Sequence, residues 1–327
     1  MNIRILLDPK NTDSEIQWSK TSAAHISQLV WATSSRVFKT GTYRLGDGSP
    51  IRVNTNNPSL FELVEEKFTL TSDQPSSEIW FDDNWQTASW DIDVDSGVAF
   101  VSGEGFWILK SAMSGLWTYV QNKLPLHGSA LATDRTWGIC LVWSHKAWKT
   151  TGLLNLATIL GEWTLVSDDW LTTSKKNSDR TLSTTDPSIS ISKKTFEENP
   201  HVWFQNRAEI ARVIEKRKLS TNPKALLGDN YQTWSVQLDN LVLLAQWMDK
   251  SITTVSKIDD LATAAKFLVA ATYHFPYHSA TLQEEHAESW LAKVKDGTHV
   301  MIFDRSQTSW LIPWYKSLID YIVAHRK

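Results

Sequence analysis

The sequence predicts an α/β protein in two parts: a small α+β domain over residues 1–120, then an α/β domain over 121–327 whose C-terminal region is helical. Three observations carry this. Alternating apolar and polar residues broken by turn residues dominate the first 125 positions. A short apolar run, a polar loop, a helical stripe and a second short apolar run follow one another over 139–166. Beyond residue 200, apolar residues recur at helical spacing.

In the first part, Tyr43 to Val53 reads as a hairpin turning at Gly46-Asp47-Gly48. Asn57-Pro58 then predicts a helix start, with Asn at the cap and Pro in the first turn. Leu60, Phe61, Leu63, Val64 and Phe68 form its apolar stripe. Further strands are predicted at Ser89–Val94, Val98–Val101 and Gly105–Lys110.

In the second part, Ile139–Val142 predicts a buried strand, Thr150–Leu160 a helix and Trp163–Val166 a second buried strand, together a βαβ unit. Thr172 to Pro200 is rich in Ser, Thr, Lys, Asp and Asn, and reads as a long surface loop with room for one hairpin. Helices are predicted at 205–217, 236–250, 257–273, 280–295 and 311–325.

Composition narrows the function. The formal net charge is −3, with 33 basic and 36 acidic residues, so no electrostatic case exists for a nucleic-acid or membrane-surface partner. One cysteine, Cys140, precludes an internal disulfide and reads as a small buried hydrophobe. The opening residues carry too short an apolar stretch for a signal peptide, and no window approaches a membrane span, so the expected compartment is cytoplasmic.

The chemistry concentrates in Trp143-Ser144-His145-Lys146-Ala147-Trp148-Lys149-Thr150-Thr151. A phosphate-binding loop reads G-x-x-x-x-G-K-[ST]. With Lys149-Thr150 on its last two positions, both glycine positions fall on tryptophan. Such a loop curls backbone N–H groups around phosphates and aims a helix N-terminus at them. Lysine reaches the terminal phosphates and the hydroxyl holds Mg²⁺. Asp168 and Asp169 end the next strand, Asp168 lying 19 positions past Lys149, where a carboxylate can bind Mg²⁺ or accept a hydroxyl proton.

The order Leu126-His127-Gly128, Asp134, strand, loop, then Leu165-Val166-Ser167-Asp168-Asp169 resembles the HPr kinase/phosphorylase core, itself similar in fold to ATP-dependent phosphoenolpyruvate carboxykinase. The resemblance spans about 45 residues, 126–170. The hairpin and helix over 43–68 resemble, less specifically, the small N-terminal domain of related kinases.

The resemblance implies a P-loop kinase using ATP and Mg²⁺. Residues 143–151 would hold the nucleotide, and Thr150 and Asp169 the metal. Asp168 would act as base, with its exchange of roles with Asp169 left open. His127 would sit near the phosphates, although a packed strand-entry histidine fits as well. The acceptor, on a protein, a peptide or a small molecule, is unspecified. The resemblance also implies a homo-oligomer, for which the sequence offers no surface. The arginine- and glycine-rich signature that follows the family's core is missing, and Arg207 is a poor stand-in.

Tryptophan, 18 residues, is in excess, whereas glycine, 13 residues, falls short of the roughly 23 that average usage gives. Three explanations stand. The loop has decayed in a catalytically silent relative that binds or scaffolds. The motif is accidental. Or UGA codons that encode glycine have been read as tryptophan. The third accounts for excess, deficit and position together, and restores a loop GSHKAGKTT.

Two further patterns are decoys. Val202-Trp203-Phe204-Gln205-Asn206-Arg207 resembles a homeodomain recognition helix but lacks the two helices that should precede it. His274, His278 and His286 lack the carboxylates or thiols that would complete a metal set, and Pro276 interrupts helical spacing.

Overall fold

The structure, a computed structural model of the chain, describes residues 2–7, 17–19, 23–34, 39–44, 49–82, 88–102, 112–113, 115–121, 123–133, 138–142, 149–161, 164–168, 170–173, 180–184, 189–193, 197, 211, 218–221, 235–245, 254–272, 280–304 and 312–325. It is mixed α/β, with two large mixed sheets and six α-helices among the described residues. The chain forms two compact units, one built on Met1–Lys123 and one on Leu124–His274 with Ala280–Lys327.

The first unit contains β1 (Asn2–Leu7), β2 (Gln17–Ser19), α1 (Ala23–Ser34), β3 (Lys39–Arg44), β4 (Pro50–Thr55), α2 (Pro58–Lys67), β5 (Thr69–Leu70), β6 (Ser77–Asp82), β7 (Ala88–Asp93) and β8 (Val98–Ser102). One π-helical turn follows at Leu116–Val120. The eight strands order as β2-β1-β7-β8-β6-β4-β3-β5. The hairpin at 43–53 is the antiparallel pair β3–β4, and the 105–110 prediction lies outside the described residues. Helix α2 starts as its residues dictate: Pro58 fills the first turn, and the Asn57 side chain accepts from the Leu60 N–H at 2.9 Å. Leu60, Phe61, Val64 and Phe68 of its stripe are buried, with Phe61 edge-on to Tyr43 at 5.9 Å, whereas Leu63 is exposed.

The second unit contains β9 (Pro125–Ala132), β10 (Gly138–Val142), α3 (Lys149–Leu160), β11 (Thr164–Ser167), β12 (Trp170–Thr173), β13 (Thr181–Thr184), β14 (Ile189–Ser192), β15 (Lys218–Thr221), β16 (Ser235–Gln237), β17 (Asn240–Ala245), β18 (Thr254–Lys257), α4 (Leu261–Thr272), α5 (Ala280–Val294), β19 (His299–Asp304) and α6 (Ile312–Ala324). Its main sheet runs β16-β13-β12-β9-β10-β17-β19-β18, with β11 also paired to β9. Strands β10, β17 and β19 are parallel neighbours. One face buries Cys140, Val142, Leu241 and Leu243 against Leu268 of α4 and Leu291 of α5. The other buries Leu131, Ile139, Leu141 and Leu165 against Leu153 of α3 and Leu318 of α6. Helix, sheet and helix thus form three layers.

Several expectations change. β10 and β11 are not neighbours: β9 lies between them, antiparallel to both, so the expected βαβ unit encloses a reversed strand. Of the predicted helix at 236–250, residues 236–245 instead form strands β16 and β17, divided at Leu238-Asp239, and 246–250 lie outside the described residues. Leu241 to Leu244 form a continuous apolar run because both sheet faces are covered, and such a run carries no helical or strand period. The polar stretch 172–200 contains β13 and β14 rather than a loop alone. The predicted helix at 257–273 gives its first residue to β18 and begins at Leu261. The helices at 280–295 and 311–325 are α5 and α6 within one residue at each end. Most of 205–217 lies outside the described residues.

Candidate functional site

The candidate site lies at the carboxyl end of β10. Across this edge, Val142 pairs with Gly128 and Leu141 with Ser129 of β9. His127, one residue further, stands in the row just beyond the end of β10. Gly128 is demanded by this packing: a Cβ there would meet the Leu141 carbonyl at 2.9 Å and the Cys140 Sγ at 3.2 Å. The His-Gly pair therefore has a mechanical reason, since glycine lets β9 close on β10 where the chain leaves for residues 143–148.

On the other side of β9, β11 and β12 are two halves of one strand. Leu165 pairs with Leu131, but Ser167 pairs with Ala130, a shift of one residue. The shifted register then holds through Trp170 opposite His127 and Leu171 opposite Leu126. Val166 is the extra residue of a β-bulge. Ser167 closes the kink: its hydroxyl donates to the Trp170 carbonyl at 2.9 Å.

The bulge decides which way the acidic residue faces. Without it, strict alternation from Leu165 would turn Asp168 toward α4 and α5. With it, Ser167 shares a face with Ala130, and Asp168 comes opposite Ser129. Ser129 lies on the face of Leu131 and Leu141, which pack against α3. The Asp168 carboxylate is therefore on the α3 face, with Ser129 Oγ donating toward its carbonyl oxygen at 2.7 Å and its Oδ1 at 3.2 Å. Its strand is two spacings, about 10 Å, from β10.

Helix α3 begins at Lys149. Its first turn holds no acidic residue, and a helix start presents N–H groups and the positive end of a dipole. Lys149 is 8% exposed, Asp168 3% and His127 5%, and Thr151 is also buried. The helix is buried on most sides, with Asn155 donating to the Thr151 carbonyl at 2.8 Å. It ends where Gly161 takes φ +76°, a conformation that favours glycine.

The structure thus brings Lys149, Thr150, Thr151, His127 and Asp168 to the region where β10 ends and α3 starts. Trp143, Ser144, His145, Lys146, Ala147, Trp148 and Asp169 lie outside the described residues. Sequence reasoning missed Ser129. Its signal was available, because a small hydroxyl two positions after His127 must share that histidine's face.

Other candidates resolve simply. Burial pushes the Cys140 thiol up, away from thiolate formation, as suits an inert core residue. Burial likewise holds His286 below its ordinary value and favours the neutral ring. Among the described residues, no group of three or more His, Cys, Asp or Glu is placed to hold a metal; His274 and His278 lie outside them. Nor is any described helix long and apolar enough to cross a membrane.

No family model and no curated protein matches the chain. Among solved structures, the HPr(Ser) kinase/phosphatase from Coxiella burnetii shows a weak likeness: 12% identity and a TM-score of 0.34, over 61% of this chain and 97% of that one.

Proposed function

We propose that the chain is an ATP-dependent phosphotransferase that moves a γ-phosphoryl group to a hydroxyl on a protein, a peptide or a small molecule. The observation that carries this reading is the bulge at Val166, which turns Asp168 onto the α3 face at the edge where Lys149 opens the helix. Lys149 and Asp168 are both buried, and ionisable groups held out of water are a common mark of a site.

The residues fit a magnesium nucleotide. The Lys149 ammonium and the first N–H groups of α3 supply positive charge to phosphate oxygens. Thr150, with Asp169 beside Asp168 in the chain, would hold Mg²⁺, which when bound neutralises charge on the transferring group. Asp168 takes the proton from the acceptor hydroxyl as that oxygen bonds to the γ-phosphorus and the bond to the β-phosphate oxygen breaks, releasing ADP.

This reading requires glycine at 143 and 148, since the loop backbone must approach phosphate closely. Tryptophans elsewhere support recoding. Trp31 is 81% exposed, and the buried Trp117 leaves its indole N–H without a partner. Buried indoles ordinarily find one. Trp290 also lacks a partner, but it fills the core between the sheet and α5, and glycine there would open a cavity. It is the position where recoding is least favoured.

The second reading takes both loop tryptophans as genuine and the protein as a silent binding or scaffold subunit. Calorimetry with magnesium-ATP separates the two. The phosphotransferase reading expects no binding by the chain as written and micromolar-to-millimolar binding by the Trp143→Gly/Trp148→Gly double variant. A double variant that still binds no nucleotide sinks it. Codons 143 and 148 read as UGG would remove the recoding explanation.

A further inference from the structure

We propose that Ser129 is the positioning residue for Asp168, an inference that rests on the phosphotransferase reading above. Ser129 is fully buried on β9, in the row between Leu141 and Asp168. Its hydroxyl carries one proton and lies 2.7 Å from the Asp168 carbonyl oxygen and 3.2 Å from Oδ1 of the same residue. A donor shared between a residue's backbone and its own carboxylate fixes the torsion that joins them. The side chain is then held toward the α3 face rather than left to choose among rotamers.

This constraint matters because of where Asp168 stands. It follows the bulge at Val166 directly, and the bulged backbone interrupts the ladder that would otherwise hold the strand. Pairing resumes with Trp170 opposite His127. Between those points, the Ser129 hydroxyl reaches Asp168 from the neighbouring strand. An acid–base group is effective only when its oxygen is held within hydrogen-bonding reach of the transferred proton, which makes an orienting donor a recurrent requirement. The bulge chooses the face and Ser129 chooses the rotamer.

A matched pair of variants separates positioning from packing. Ser129→Thr and Ser129→Val add the same branched volume at a fully buried position, and only the first keeps the hydroxyl. Ser129→Ala removes the hydroxyl without adding volume. The assay is steady-state phosphotransfer, or ATP hydrolysis where no acceptor is at hand, in the full chain with glycine at 143 and 148. Ser129→Ala and Ser129→Val are expected to lower kcat by about 10- to 100-fold, with KM for ATP within about twofold. Ser129→Thr should recover most of the loss relative to Ser129→Val, with both variants folded at the assay temperature. Equal kcat for the Thr and Val variants, with Ser129→Ala at the parent level, overturns the inference and leaves the phosphotransferase reading standing. A rise in KM without a fall in kcat also overturns it, because the hydroxyl would then serve nucleotide binding. Failure of the parent to turn over overturns both.

Discussion

In the N-terminal sheet, Thr40 donates to Asn54 Oδ1 at 2.6 Å, Asn54 donates to Glu78 Oε1 at 2.6 Å, and Asn56 donates to Asp82 Oδ1 at 2.6 Å. In the C-terminal sheet, the buried polar residues His127, Ser129, Lys149, Thr151 and Asp168 gather where β10 ends and α3 begins. The first arrangement places neutral amides between strand neighbours, so each polar group is answered locally at little cost. The second brings a cation and a carboxylate out of water on different elements. Burying charge this way stabilises poorly and is a common mark of a site. Removing polar groups should therefore have opposite consequences in the two sheets.

The widest contrast is between turnover and stability. Asp168→Asn and Lys149→Ala should each reduce phosphotransfer by about 10³-fold or more, a loss far beyond what any change in melting temperature explains. Asn54→Ala should leave turnover within about twofold and cost about 1–3 kcal/mol, because it strands the partners of a buried amide. Steady-state assays alongside urea unfolding check both halves. A stability loss at Asp168 equal to that at Asn54, with turnover intact, would remove the distinction between the sheets.

A smaller effect probes the edge itself. Gly128→Ala places a Cβ 2.9 Å from the backbone carbonyl of Leu141, so β9 and β10 must part where the candidate site begins. The expected cost is about 1–3 kcal/mol. A drop in turnover larger than the lost stability explains would show that the strand spacing at 128–142 also sets the site. A variant that melts with the wild type would show that the sheet gives there freely.

Local rules explain what was legible in the sequence. Asn57-Pro58 marks a helix start because cap and ring act on their immediate neighbours, and α2 begins there. Lys149 opens α3 one residue before the predicted start, for a similar reason. What could not be read depends on partners distant in sequence. Leu241 to Leu244 form a strand because covered sheet faces erase periodicity. The bulge at Val166 was hidden because Leu165-Val166-Ser167 looks like any strand end until β9 is laid beside it. The sense in which Asp168 faces, and hence the use of Ser129, followed from that pairing rather than from the Asp-Asp motif.

The finest comparison lies within the N-terminal sheet, where the polar pairing is incomplete. The Tyr43 hydroxyl is buried without a hydrogen-bond partner, in contrast to Asn54 one strand over. Burial, aided by the charge of Glu65, pushes its phenol up from 10.0 to about 12. The ionised form is thus disfavoured in the folded state, and folding loses this contribution as pH rises from 10 toward 12. Tyr43→Phe removes the orphaned group while keeping the ring against Phe61, and should stabilise the unit by about 1 kcal/mol at neutral pH. The variant should also lack the part of the alkaline stability loss that belongs to this phenol. Denaturant titrations at pH 7 and pH 11 read both effects. A destabilised variant at pH 7 would mean the hydroxyl finds a partner in solution, and the N-terminal sheet would then be closed at every buried polar position named above.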